Sequence, residues 1–76
     1  MITYQQLDEI GAVLYSSWIN TATGGRIMII NRIFDITTGE CEMLKLVEFN
    51  TEKSTEIRAS DFIRFTQNNT LQKFKK

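Results

Sequence analysis

Two long apolar runs with frequent β-branched side chains occupy the middle of the chain, at residues 26–36 and 41–49. Such residues suit the pleated surface of a β-sheet. Residues 37–40 separate the runs and include a glycine, which can adopt the positive φ of a tight hairpin turn. A shorter alternating run follows at 55–59. This pattern predicts three consecutive antiparallel strands.

Near the N-terminus, the apolar residues are spaced by three and four positions, which is typical of an amphipathic helix. Thr3 and Gln6 have the spacing of a capping box. These signals predict a helix over residues 3–17. Gly11 lies inside it at a cost of about 1 kcal/mol relative to alanine, which we attribute to close packing against another element. The apolar stripe expected to cover the sheet consists of Leu7, Ile10, Leu14 and Trp18.

The segment that follows the third strand supports two interpretations. Ser60 and Asp61 favour the start of a helical turn, because their side chains can accept hydrogen bonds from a helix N-terminus. The run Phe62–Ile63–Arg64–Phe65 favours a strand instead. We predict a tight turn and then a short strand at 62–66.

The last ten residues, 67–76, are predicted to be a basic tail. It holds three lysines and no acids, while residues 1–65 hold nine acids and six bases. Leu71 and Phe74 leave open a final helical turn against the core. The acidic body disfavours non-specific DNA binding, because contacts to phosphates supply most of that affinity.

A chain of 76 residues with 42% hydrophobic residues is expected to form one domain over 1–76. The predicted class is α+β, with an N-terminal helix packed on a small, strongly bent antiparallel sheet of three to five strands. One helix covers only one face of such a sheet. The other face requires the sheet to curl into an SH3-like barrel, or requires a second subunit. A homodimer therefore remains open.

Several chemistries are disfavoured by composition. The chain has no histidine and a single cysteine, Cys41, so it lacks the residues of a Ser-His-Asp triad or a cysteine-based metal site. The acids beside Cys41 are expected to raise its pKa. We expect a protein that is not an enzyme, has no cofactor or sizeable pocket, and works in the cytoplasm without a membrane partner.

The first functional hypothesis is a protein-binding module or regulator. Apolar residues outnumber those that one helix can cover, and exposed apolar patches usually mark interfaces. The size also suits an inhibitor encoded by a phage or another mobile element. The candidate interface residues are Ile27, Ile29, Arg32, Ile33, Leu44 and Leu46.

The alternative hypothesis is nucleic-acid binding on a small barrel. Aromatic rings interleaved with basic residues are the relevant sign, since nucleobases stack on rings and cations follow the phosphates. The candidate residues are Arg64, Phe65, Lys73, Phe74, Lys75 and Lys76.

Overall fold

A computed structural model describes residues 2–74, which form one five-stranded antiparallel sheet and two helices. The spatial strand order is β4-β3-β2-β1-β5, so the predicted α+β class is confirmed. Strands β4 and β5 each have a neighbour on one side only, and the sheet is not closed into a barrel. The elements are α1 (Tyr4–Glu9), β1 (Ser17–Asn20), β2 (Arg26–Phe34), β3 (Cys41–Glu48), β4 (Ser54–Arg58), α2 (Ala59–Gln67) and β5 (Leu71–Lys73).

The three strands predicted in the middle of the chain are confirmed, each end lying within two residues of the predicted boundary. The hairpin between β2 and β3 contains Gly39 with a φ of 74°, as its position in the turn required. Two β-bulges interrupt this pair of strands. Ile30 is the extra residue on β2, and Glu42 is the extra residue on β3.

The predicted first helix begins correctly and ends far too late. Thr3 and Gln6 form the capping box, with hydrogen bonds of 2.9 and 3.2 Å. Helix α1 ends at Glu9 because Gly11 takes a φ of 82°. The amides of Gly11 and Ala12 donate to the carbonyls of Asp8 and Leu7, which is the Schellman pattern of a helix C-terminus. Gly11 is therefore the stop signal of α1. The close packing expected at Gly11 is also present, because a Cβ there would collide with the side chain of Lys73 on β5.

This early end changes the role of the predicted apolar stripe. Leu7 is buried, but Ile10 and Leu14 are 37% and 43% exposed. Trp18 is buried as part of β1, outside any helix. Ala12, which is not part of the predicted apolar stripe, is fully buried. Helix α1 thus contributes a single buried side chain, and the sheet depends on another element for its cover.

That element is α2, so the strand predicted at 62–66 is wrong. Ala59 and Phe62 are buried on one side of α2, and Ile63 packs partly against the core. These positions follow helical spacing, which outweighs the strand propensity of the aromatic and β-branched residues. The helix has no side-chain cap, since Arg58 and not Ser60 precedes its first turn.

The basic tail prediction is also wrong for the part that the structure describes. Leu71–Lys73 form β5, which pairs with β1, a strand that the sequence pattern did not reveal. Leu71 is buried in the core. Lys75 and Lys76 lie outside the described residues.

The core lies on one side of the sheet, between the strands and α2. Trp18 and Phe62 meet edge to face, with ring centroids 5.0 Å apart. The Trp18 indole N–H donates to the Ser16 hydroxyl at 3.0 Å, so its polar atom is satisfied inside the core. The helix-covered face includes Trp18, Ile27, Ile29, Leu44, Leu46, Ile57 and Leu71, which share that side through strand pairing.

Replacing Gly11 by alanine should lower the free energy of unfolding by about 1–2 kcal/mol, because a side chain is strained at positive φ. Gly11→Asn should cost less, since asparagine tolerates this conformation better than alanine. Urea denaturation followed by Trp18 fluorescence measures both values. Equal stability of the alanine variant and the unmodified chain would contradict the assignment of Gly11 as the helix stop.

Candidate protein-binding surface

The face of the sheet opposite α2 has no cover among residues 2–74. Strand pairing places thirteen side chains on it, and every one keeps part of its surface accessible. We call it the open face. Its paired residues are Ser17, Ile19, Arg26, Met28, Asn31, Ile33, Met43, Lys45, Val47, Ser54, Glu56, Arg58 and Gln72.

One end of the open face has a single arginine among mainly apolar residues, with Ser17 and Gln72 as uncharged polar neighbours. The amide of Phe49 donates to the Arg26 carbonyl at 3.0 Å, and that of Phe74 donates to the Ser17 carbonyl at 2.9 Å. These two bonds extend the strand pairing by one position. We name this end the Arg26 patch, which comprises Ile19, Arg26, Met28, Val47, Phe49 and Phe74.

The Arg26 guanidinium contacts two aromatic rings. Its central carbon is 4.7 Å from the ring centre of Phe49 and 4.0 Å from that of Phe74. Cations are attracted to aromatic faces, so these contacts restrain the long side chain along the sheet. The Arg26 Nε is covered and has no hydrogen-bond acceptor among the described residues. The result is a partly desolvated, unpaired cation held in place by apolar neighbours.

Two other arginines provide the contrast. On the helix-covered side, Arg32 binds Asp8 at 2.7 Å, and on α2 Arg64 binds Asp61 at 3.1 Å. Within residues 2–74, Arg26 has no such ion pair. Among the described strands, Arg26 is thus the arginine that contacts aromatic rings without forming an ion pair.

The predicted interface residues are distributed over both sides of the sheet. Ile33 is the one that lies on the open face, where it pairs with Met43. Ile27 is partly buried against the core on the helix-covered face, and Arg32 is held by α1 through Asp8. The remaining three are core residues, each at most 3% exposed: Ile29, Leu44 and Leu46.

The predicted nucleic-acid residues also fail to form one surface within the described chain. Arg64 and Phe65 belong to α2, whereas Phe74 contacts Arg26 on the open face. Lys73 is exposed and pairs with Trp18, whose side chain faces α2. Lys75 and Lys76 cannot be placed, because they lie beyond residue 74.

The chain matches no protein-family model, no curated protein and no solved structure. In the described part, no group of three or more acidic, histidine or cysteine residues is arranged to hold a metal ion. Among the same residues, neither helix has the length and apolar character to cross a bilayer.

The sequence led us to expect no sizeable pocket, but the described residues form two depressions of several hundred cubic ångströms. A groove of about 290 Å³ lies between α2 and the sheet, with apolar walls that include Ile27, Phe65 and Leu71. A more polar depression of about 420 Å³ is lined by Ile2, Glu40, Cys41, Glu42, Arg58 and Ser60. One carboxylate oxygen of Glu40 is covered and lacks a hydrogen-bond partner among residues 2–74.

Cys41 is a packed core residue and not an exposed nucleophile. Only 2% of its surface is accessible, and its Sγ lies 3.6 Å from the Met43 carbonyl oxygen. Burial raises the pKa of the Cys41 thiol, and the nearby Arg32 partly opposes that shift. Burial also raises the pKa of Tyr4, with a further increase from Cys41 and a decrease from Arg32. The pKa of Cys41 is thus raised, as expected, but burial is the largest cause and the adjacent acids are not among the causes.

Alkaline pH should destabilise the fold. Because the Cys41 thiol ionises less readily when folded, its contribution to stability is complete below the pKa of the unfolded chain. That contribution is lost as the pH rises toward the folded pKa. Urea unfolding between about pH 8 and about pH 10 should show this decline. Cys41→Ala should have a shallower decline, and an unchanged slope would contradict the role of the thiol.

Aspartate substitutions at two isoleucines of β2 should separate the two faces. Ile29→Asp places an unpaired charge in the core and should prevent folding, since the expected cost is several kcal/mol. Ile33→Asp lies on the open face and should change the free energy of unfolding by about 1 kcal/mol or less. Circular dichroism during urea denaturation distinguishes these results. Unfolding by both substitutions would show that the open face is covered in solution.

Proposed function

We propose that this chain is a small, non-enzymatic protein-binding module that regulates or inhibits its partner through the open face. The Arg26 patch is the proposed centre of contact. The observation that carries the proposal is the Arg26 guanidinium set between Phe49 and Phe74 on an uncovered apolar surface.

The residue types of the Arg26 patch favour a protein partner. Aromatic residues, methionine and arginine are enriched in protein interfaces, whereas lysine and acids are depleted from interface cores. The patch holds two phenylalanines, one methionine and one arginine, with Ile19 and Val47 between them. Arginine is also one of the residue types enriched among the few side chains that dominate binding energies.

Self-association through the patch is less favoured than binding to a different protein. A two-fold dimer formed on this face would bring the same surface of each subunit together. With the two-fold axis near the centre of the patch, the two unpaired Arg26 guanidinium groups would approach each other, and like charges in a desolvated contact repel. Nucleic-acid binding is also less favoured, because Arg64 and Phe65 lie on the opposite side from Phe74.

The proposal is tested by affinity capture from lysate of cells that make this protein, with and without nuclease treatment. Met28→Lys and Val47→Lys together should place charge in the middle of the patch, while their long stems preserve contact with the sheet. We expect the double variant to lose the partners that the unmodified chain retains. Light scattering on the purified chain determines whether it also associates with itself.

A matched control places the same new charges outside the patch. Ile10→Lys and Ile36→Lys alter residues that are 37% and 89% exposed, and they should leave capture unchanged. Circular dichroism confirms that both double variants are folded. Equal loss in the two variants, or capture that nuclease treatment abolishes, would refute binding of a protein by the Arg26 patch.

A further inference from the structure

We infer that Arg26 is the receptor for a carboxylate of the partner protein, an aspartate or glutamate side chain set among apolar residues. This inference rests on the proposed function and specifies the chemistry of its partner. Three features of the patch carry it: the restrained guanidinium, its missing anion and the composition of its surroundings.

The first feature is pre-organisation. A free arginine side chain loses conformational entropy when it is fixed in an interface, and this loss weakens binding. In this chain Phe49 and Phe74 already contact the guanidinium, at 4.7 and 4.0 Å from their ring centres. The planar group can therefore offer its outer N–H donors to a carboxylate with less ordering than a free arginine requires.

The second feature is the missing anion. Arg26 Nε is shielded from solvent without an acceptor, and no carboxylate among residues 2–74 forms an ion pair with this arginine. Attraction between opposite charges is stronger where water is excluded. A carboxylate that arrives with an apolar surface would complete the exclusion of water and neutralise the cation. A partner that covered the outer guanidinium nitrogens as well would leave the whole cation unpaired at a high cost, so it must supply an acceptor to those nitrogens.

The third feature is the isolation of this charge. Nucleic acids are bound by several cations that each contact a phosphate. Among residues 2–74, the neighbours of Arg26 on the open face are uncharged, Ser17 and Gln72 included, and the next base along this face, Lys45, is directly paired across the sheet with Glu56. One cation within an apolar surface is complementary to one carboxylate within another apolar surface. A phosphate backbone would instead find a single cation among the described residues of the patch.

The inference is tested by NMR titration of the ¹⁵N-labelled full chain with three probes. The first is a short peptide that alternates leucine with glutamate, and the second replaces each glutamate by glutamine. The third is oligothymidylate of the same length. We expect the glutamate peptide to shift the Arg26 Nε–H signal and the amides of Met28 and Val47. The other two probes should bind at least about tenfold more weakly, equivalent to ~1.4 kcal/mol.

Variants at two arginines identify the receptor. Arg26→Gln should weaken binding of the glutamate peptide about tenfold, whereas Arg64→Gln on α2 should leave it unchanged. Arg26→Lys should recover only part of the affinity, because an ammonium group lacks the planar pair of donors. Equal weakening by Arg26→Gln and Arg64→Gln would indicate attraction by net charge and would overturn the inference.

The remaining outcomes separate this inference from the proposed function. If the glutamine peptide binds the patch as tightly as the glutamate peptide, the carboxylate receptor is wrong while protein binding by the patch is retained. Preferential binding of oligothymidylate would overturn both. Failure of the glutamate peptide to bind at millimolar concentration would overturn the receptor alone, since capture through Met28 and Val47 tests the function independently.

Discussion

The contact between Trp18 and Phe62 determines which side of the sheet becomes the interior. Helix α2 joins β4 to β5, the two edge strands, and it must therefore pass across the whole sheet. With Phe62 buried against Trp18, one nine-residue helix covers the face that holds Ile29, Leu44 and Leu46. Side chains alternate along each strand, so the same choice leaves the opposite face uncovered. The open face and the core thus have a common physical origin.

The sequence contained enough local information for the central strands and for the beginning of α1. It also contained the end of α1, since Gly11 at positive φ is the usual helix stop, but the continued apolar spacing through Leu14 and Trp18 suggested a longer helix. Strand β1 was hidden inside that apparent continuation. At residues 59–67, β-branched and aromatic residues favoured a strand, whereas burial of Ala59 and Phe62 against the sheet decided for a helix.

The candidate surface was only partly predictable. Residues of β2 are apolar on both faces, so the choice between Ile29 and Ile33 as core depends on where α2 packs. The proximity of Arg26 to Phe49 was predictable from the hairpin. Counting the same number of residues along each strand from the pair Phe34 and Cys41 places Arg26 opposite Phe49. The bulges at Ile30 and Glu42 add one residue to each strand and leave that count unchanged. The position of Phe74 was not predictable, because it depends on the pairing of β5, a strand that the sequence pattern did not reveal.

Strand β5 has only three residues, pairs on one side and meets a partner about fifty positions earlier in the chain. Contacts between distant segments close a large loop and tend to form late in folding. Short, singly paired edges also open more readily than central strands. Detachment of β5 would withdraw Leu71 from the core and carry Phe74 away from Arg26. The Arg26 patch is therefore complete only when β5 is paired with β1. A chain in which β5 has not yet paired would lack the contact between Phe74 and Arg26.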